Sequence, residues 1–537
     1  MLKNFSYFFS CISLLISQTV SANLITANSG NYTTYLNSLN PGDTLYLTAG
    51  TYLSDLTLNG QNGDSSHPIV IMGSAILYTT IFQAQSCCNT VSITQCSYLI
   101  IKNLQLDGMN IAVDAVKAEG TAGNWAHHIT LEYLNIIHYG SDQQNVGIST
   151  KCSAWNWVIR KNRIIGAGTG MYLGNSDGSD PFVNGTIEYN FIAGTIGYNM
   201  EIKQQTDTVR DNFAGTSVNG KTMIRYNVFT KDSTSSTGAD ARPNLLVGGF
   251  PLNGWGSLDY YEIYGNFFYQ NPVEALFQGT GNIMLYENIF VNHFDPAGLR
   301  AVYFTDQNGV QPQDIKVFHN TVWANNSSGG IRIYNPDINY QQYCYSNAVF
   351  APAPITNFTN SVDNITDAYL NAFYNVLSAT TNISTLNLYP QSGQLTGTLT
   401  SSALFQNNTN WDKDFNGDVY DWTFRGAYSG CCVNIGWQLQ LDTMPTLPEV
   451  LNAVPLADIG QQDVIVYPNP FSTTLNVHLN TLKQFEIKIS DLTGEEVLKS
   501  KINTSLFEAD FINKPSGIYF LQIKTEHNLV TKKIIKQ

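Results

Sequence analysis

The chain has 537 residues, of which 43% are hydrophobic and only 13% charged, with 30 Tyr and 27 Phe. A chain this apolar buries a large core, which excludes a disordered or fibrous protein, and its aromatic, weakly charged composition fits exported β-rich proteins. The balance of 27 Lys and Arg against 41 Asp and Glu gives −14, which excludes the basic footprint of a general nucleic-acid binder.

Residues 1–22 read as a secretory signal peptide. Lys3 precedes the apolar stretch Phe5–Ile16, and Val20-Ser21-Ala22 ends on small residues suited to cleavage. That stretch is too short for ~30 Å of hydrocarbon, so no stable membrane span is expected. Next, Asn31-Tyr32 opens a segment that puts Tyr32, Tyr35 and Leu36 on one face. This predicts a short helix covering an open end of the fold. From Pro41-Gly42-Asp43-Thr44 onward the sequence alternates apolar and polar residues and is punctuated by Gly.

An internal repeat then runs to about residue 440. Asn162, Asn190, Asn227, Asn266, Asn288, Asn320 and Asn347 align as one slot. Three positions earlier stand Ile159, Ile187, Ile224, Ile263, Leu285, Val317 and Cys344. Two positions later stand Ile164, Ile192, Phe229, Phe268, Phe290, Val322 and Val349. Leu104 and Leu134 occupy the same slot earlier in the chain, and the shortest spacing between slots is 22 residues. Short, irregular repeats with two apolar columns predict an all-β fold: a right-handed parallel β-helix solenoid over 23–440. Its apolar columns stack inside, and the Asn slot forms a ladder of amides. Helices long enough for a TIM barrel are missing between the strand segments, and the drifting period is unlike a propeller.

Residues 441–462 carry three Pro and no strand alternation, so they read as a linker. From 463 to 537, short alternating strands separated by turns predict a small antiparallel β-sandwich. Tyr467-Pro468-Asn469-Pro470, Asp491-Leu492-Thr493-Gly494, Gly517-Ile518-Tyr519 and Lys532-Lys533-Ile534-Ile535 resemble the C-terminal sorting domain of type IX secretion cargo. That resemblance implies the type IX secretion machinery as a partner. It also implies a Bacteroidota-like cell and a secreted or cell-surface location, reached through periplasm and outer membrane. After Cys11 the chain holds Cys87, Cys88, Cys96, Cys152, Cys344, Cys431 and Cys432. Export permits disulfides, seven cannot all pair within one chain, and no CxxC or Cys/His spacing points to zinc.

The stretch from Pro41 to Ser74 is similar to the opening coils of polysaccharide lyase family six, the chondroitinase-B and alginate-lyase type. The resemblance implies a β-helix that binds an acidic, uronate-containing polysaccharide and cleaves it by β-elimination, with Ca²⁺ as a cofactor. Charge supports a polyanion. Ten of the 17 Lys and Arg of residues 23–462 fall within 151–242, among them Lys151, Arg160, Lys203, Arg210, Arg225 and Arg242.

Eliminative cleavage needs a base for the proton beside the uronate carboxylate and cations to neutralise that carboxylate. Lys203 is the candidate base, with Arg210 and Arg225 lowering its pKa by like charge. Arg225 and Arg242 are the candidate neutralising or proton-donating groups. Glu188 and Glu201, with Asn199, are the candidate Ca²⁺ ligands. The family places two Glu two residues apart and its Lys several residues later, whereas here only Glu201 precedes Lys203, two residues before it. The position two before each Asn slot reads Arg160, Glu188, Arg225, Tyr264, Tyr286, Phe318 and Tyr345. It predicts an outer face running from charged to aromatic. Arg160, Asn199, Arg210, Tyr264, Tyr286 and Phe318 are therefore the candidate substrate-binding residues. Other readings stay open: a hydrolase using a carboxylate pair from Asp177, Asp180, Glu188 and Glu201, an epimerase, or a non-catalytic adhesin or glycan-binding rod. The chain is expected to be a monomer.

Overall fold

The computed structural model describes residues 22–537 apart from 122, 212–215, 237, 296–298, 400–401, 447–463, 468, 480–484, 492–494, 503–505 and 525–528. Nearly all of the expected signal peptide, and residues 447–462 of the expected linker, thus lie outside the described residues. The chain forms two compact units, Met1–Pro448 and Glu449–Gln537.

The first unit is a parallel β-helix. Each coil gives one strand to each of three long sheets, visited in the order A, B, C. Sheet A runs from Leu24–Ala27 to Asn360–Val362, sheet B from Gly50–Tyr52 to Ile365–Asp367, and sheet C from Leu56–Asn59 to Ile355–Thr356. The expected columns are real ladders. In sheet A, Ile71, Ile101, Leu131, Ile159, Ile187, Ile224, Ile263, Leu285, Val317 and Cys344 are successive partners. In sheet B, Leu106, Ile136, Ile164, Ile192, Phe229, Phe268, Phe290, Val322 and Val349 follow suit. All are buried in one core. Each such side chain contributes roughly 1.5–3 kcal/mol by leaving water.

The corner between sheets A and B depends on the Asn ladder. The residue ahead of the slot takes a left-handed backbone in coil after coil: Lys161, Tyr189, Tyr226, Glu287, His319 and Ser346 have φ between 52° and 56°. A non-glycine residue there is strained, so the turn persists only where its surroundings fix it. The amides do this. Each Nδ2 donates to the Oδ1 of the next coil's Asn at 2.9–3.0 Å, from Asn162 to Asn347 and on to Asn364. The same Nδ2 groups donate to backbone carbonyls, and each Oδ1 also accepts the backbone N–H of the coil before it. Asn364 extends the ladder one rung beyond the seven read from the sequence. At the other end, Thr33–Leu36 forms the short cap helix, with Tyr32 and Leu36 buried.

Residues 368–444 do not make further coils. They fold back over the outer faces of sheets A and B and build a second core with them. The expected aromatic sugar platform becomes the floor of this core. Tyr264, Tyr286 and Phe318 stack at 4.8 and 4.7 Å and Phe405 closes the stack at 4.0 Å. All three ladder rings are 0% exposed. They do face outward from the helix, but the returning segment covers them. The second unit has two antiparallel sheets of three and four strands around a core that includes Phe471, Leu475, Ile487, Tyr519 and Ile534.

Replacing a middle rung isolates its neighbours' buried polar groups. Asn227→Ala leaves the Ile187 carbonyl and the Asn190 amide without their partners. It is expected to cost about 3–5 kcal/mol, read as a lower midpoint in denaturant unfolding.

Candidate functional site

Side chains on the outer face of sheet C form a continuous column: Ser92, Lys117, Ser149, Tyr172, Glu201, Leu246, Gln278, Tyr303 and Arg332. At ~4.8 Å per rung, Lys117 to Gln278 spans about 24 Å. Two adjoining clefts lie along this stretch. One, of about 490 Å³, is lined by Asn89, Asp114, Lys117, Asn145, Lys151, Tyr172, Tyr198, Glu201, Lys203 and Arg242, among others. The second, of about 340 Å³, shares Tyr198, Glu201 and Lys203 and continues past Leu246 and Gln278 to Gln307 and Asn308. The first holds four basic side chains against two acidic ones, on a chain whose net charge is −14. Insertions between strands make the walls, so the coil supplies a flat floor and the loops supply shape.

Glu201 is buried and Lys203 half-buried, and their charged groups meet at 2.8 Å. Burial pushes the Glu201 carboxyl above its usual range despite Lys203. Burial alone would lower the Lys203 ammonium, but the Glu201 carboxylate outweighs it and holds the group above its ordinary value. This reverses the expected direction, because the arginines meant to lower it lie elsewhere.

Lys151 is the amine whose pKa does fall. Its Nζ sits 3.5 Å from the centre of the Tyr172 ring. Burial pushes it down to about 8, against the upward pull of Asp114. Lys203 approaches the same ring, at 5.6 Å. Tyr172 itself is raised by burial and by Glu201, so its phenol keeps its proton near neutrality.

Arg242 enters the cleft from an insertion between sheets B and C, with its guanidinium 5.8 Å from the Tyr198 ring centre. Its backbone is firmly held. The Arg242 carbonyl accepts from Lys231 Nζ, Ser236 Oγ and Asn271 Nδ2 at 2.9, 2.9 and 3.0 Å. Lys231 is almost wholly buried, which drives its ammonium far below the usual lysine range. It serves as an internal clamp on the loop.

The other expected site residues separate from this group. Arg225 and Glu188 lie on sheet A, 2.7 Å apart, and Arg225 Nη1 donates to Tyr264 Oη at 2.9 Å. Arg160 is also on sheet A and pairs with Glu132 at 2.6 Å. Arg210 is fully buried against Asp259 and the Ser217 carbonyl, with burial raising Asp259 to about 6. Asn199 does not share the outer face with Glu201. It is buried at the B–C corner, where its amide donates to Thr195 Oγ1 and the Thr230 carbonyl. Glu188 and Glu201 sit on different sheets, each with its own cation, so the two carboxylates do not share a calcium ion. Tyr264, Tyr286 and Phe318 are out of a sugar's reach. Lys203, Glu201 and Arg242 converge in the groove, and Lys151, Tyr172 and Tyr198 join them. The signal for these was the column Lys117, Ser149, Tyr172, Glu201, hidden because insertions of varying length separate the Asn slots from sheet C.

Residues 465–537 match the family described as the secretion system C-terminal sorting domain. The C-terminal unit is therefore an export tail of the type IX kind, and the protein is secreted or displayed at the cell surface. No curated protein matches the chain. Among solved structures it is similar to a mutant of a PL6 family alginate lyase, with 13% identity over 70% of this chain and 56% of that one and a TM-score of 0.42. This chain thus spans little more than half of that protein. It is similar to the A-module of a mannuronan C-5 epimerase from Azotobacter vinelandii, with 15% identity over 61% and 88% and a TM-score of 0.40. It is also similar to a PL6 family polysaccharide lyase from Pseudopedobacter saltans, with 10% identity over 69% and 97% and a TM-score of 0.34. Identities this low assign no residue a role, and the β-helix stands on its own strand register. Among the described residues no helix is long and apolar enough to cross a membrane.

The covered aromatic stack is structural. Tyr286→Ala is expected to lower stability by about 3–5 kcal/mol, read in thermal or denaturant unfolding.

Proposed function

We propose that this exported protein binds an acidic, uronate-containing polysaccharide along sheet C and cleaves it by β-elimination, with Lys151 as the base. The observation that carries this reading is the pairing, in one polar groove, of an amine with a pKa of about 8 and fixed cations around it.

The chemistry assigns three tasks. Neutral Lys151 takes the proton from the carbon beside the uronate carboxylate. Arg242 and Lys203 offset the charge that builds on that carboxylate, Lys203 being kept protonated by Glu201. Tyr172, held as a neutral phenol, donates its proton to the departing glycosidic oxygen. The bond from that oxygen to the ring carbon breaks as a carbon–carbon double bond forms, and the extra proton on Lys151 then passes back, directly or through solvent, to the Tyr172 phenolate, which restores both groups. Lys151 Nζ lies 3.5 Å from the centre of the Tyr172 ring, which keeps base and acid close enough to act on neighbouring positions of one sugar. No step runs through calcium, since Glu188 and Glu201 do not fit a shared ion.

The similarity to alginate lyases and an epimerase favours uronate polymers over neutral ones. Incubation with alginate, pectate and chondroitin, followed by the ultraviolet absorbance of the unsaturated uronate, tests the reading. Binding without absorbance growth on any uronate polymer would sink the lyase assignment and leave a glycan-binding rod. Reducing ends released without absorbance would indicate a hydrolase.

Two outcomes follow from the base. Lys151→Ala is expected to lower kcat by at least about 100-fold, with far-ultraviolet circular dichroism unchanged. Because the neutral amine acts, kcat/KM should rise with pH through about 8 and level off above it, and a limb set by Lys203 instead would rise only at higher pH.

A further inference from the structure

Away from the groove's centre, at the helix's capped end, two adjacent cysteines meet a carboxylate from more than thirty residues earlier in the chain. One oxygen of Asp55 and the sulfurs of Cys87 and Cys88 all lie within 4.8 Å of one another. We propose that Asp55, Cys87 and Cys88 form a binding site for a divalent cation of the zinc type, with a solvent molecule as the fourth ligand.

The ligands are held by the fold. Gln85 and Cys88 face each other across an antiparallel bridge, so both thiols ride on a tight turn. Asp55 immediately precedes the first sheet C strand, Leu56–Asn59. Its carbonyl accepts the hydroxyl of buried Tyr32 at 3.1 Å. The next residue ties the two segments together, since Leu56 N donates to the Thr90 carbonyl at 2.9 Å. Zinc–sulfur bonds of ~2.3 Å in a tetrahedron place two sulfurs about 3.8 Å apart, a small adjustment for exposed cysteine side chains.

Chemistry selects the ion. Asp55 Oδ1 is buried, the Cys88 thiol is the side-chain hydrogen-bond partner found for the Asp55 carboxyl, and none of the ion pairs among the described residues includes Asp55. A carboxylate with no cationic partner, met by a thiol, suits a metal cation that takes the place of the thiol proton. Two sulfurs favour zinc-like metals over calcium or magnesium, which take oxygen. Binding releases the two thiol protons to solvent and leaves two thiolates and a carboxylate on the metal.

The site also reaches the groove. Cys88 precedes Asn89, which lines the larger cleft. Asn89 Oδ1 accepts from Asp114 N at 3.1 Å, and its Nδ2 donates to Glu119 at 2.7 Å. An ion on Cys87 and Cys88 clamps the turn that presents this wall, which is a positioning role.

The test uses the full chain purified under reducing conditions. We expect one zinc per chain to survive gel filtration, and Co²⁺ in its place to give thiolate-to-cobalt charge-transfer absorption. Cys88→Ser and Asp55→Asn should each weaken zinc binding by at least about tenfold, with circular dichroism checking the fold, while Cys431→Ser with Cys432→Ser should leave it intact. Absence of bound zinc when titration finds the thiols reduced would overturn the proposal. So would zinc binding unaffected by Cys88→Ser, or exported protein in which Cys87 and Cys88 are joined to each other.

Discussion

Everything in this molecule depends on vertical registry. A side chain inside one coil touches its counterpart in the next, and at the A–B corner an amide replaces the apolar contact. That corner is the weak point of the winding, because it buries backbone polar groups and holds a non-glycine residue in a left-handed conformation. The Asn column answers both problems, since each amide bonds to its neighbours and to the stranded carbonyls. Once the corner repeats without drift, the sheets stay aligned and residues one coil apart become neighbours.

The groove on sheet C follows from that alignment. Lys117, Ser149, Tyr172 and Glu201 share one vertical line because the inward residues on either side of them are fixed in the core. Polar groups crowded on such a floor change each other's protonation. Glu201 and Lys203 stabilise one another as an ion pair, whereas Lys151 packs on the Tyr172 ring and loses hydration with no carboxylate close enough to make up for it. Two lysines on one face thus end in opposite states, one a fixed cation and the other an amine able to take a proton.

The same rod uses its other side differently. Outward residues of sheet A become a second core once residues 368–444 lie over them. Contacts such as Tyr286 Oη to the Thr409 carbonyl at 2.6 Å and Lys221 Nζ to Thr409 Oγ1 at 2.8 Å anchor the cover. This explains how aromatic residues in an outward column come to be dry. The direction of a side chain from the coil and its contact with water are separate questions, and the returning segment decides the second.

The sequence by itself determined the winding and the export tail. Apolar columns three before and two after an Asn slot leave one arrangement in which every member is buried, and the tail's turn motifs occur in order. It also marked Lys203, Glu201 and Arg242 as chemistry-bearing residues of one charged window. Only the tertiary structure decided who their neighbours are. Arg225 stands 22 residues after Lys203 in a repeat where that distance carries the chain around corners to another sheet, while Lys151, 52 residues before it, lies on the same face. Insertions of unequal length hid this, because the Asn slots set register for sheets A and B and not for C. The pKa directions were beyond reach for the same reason: they depend on which charge is near and how much water is lost, and both are properties of the packed coil.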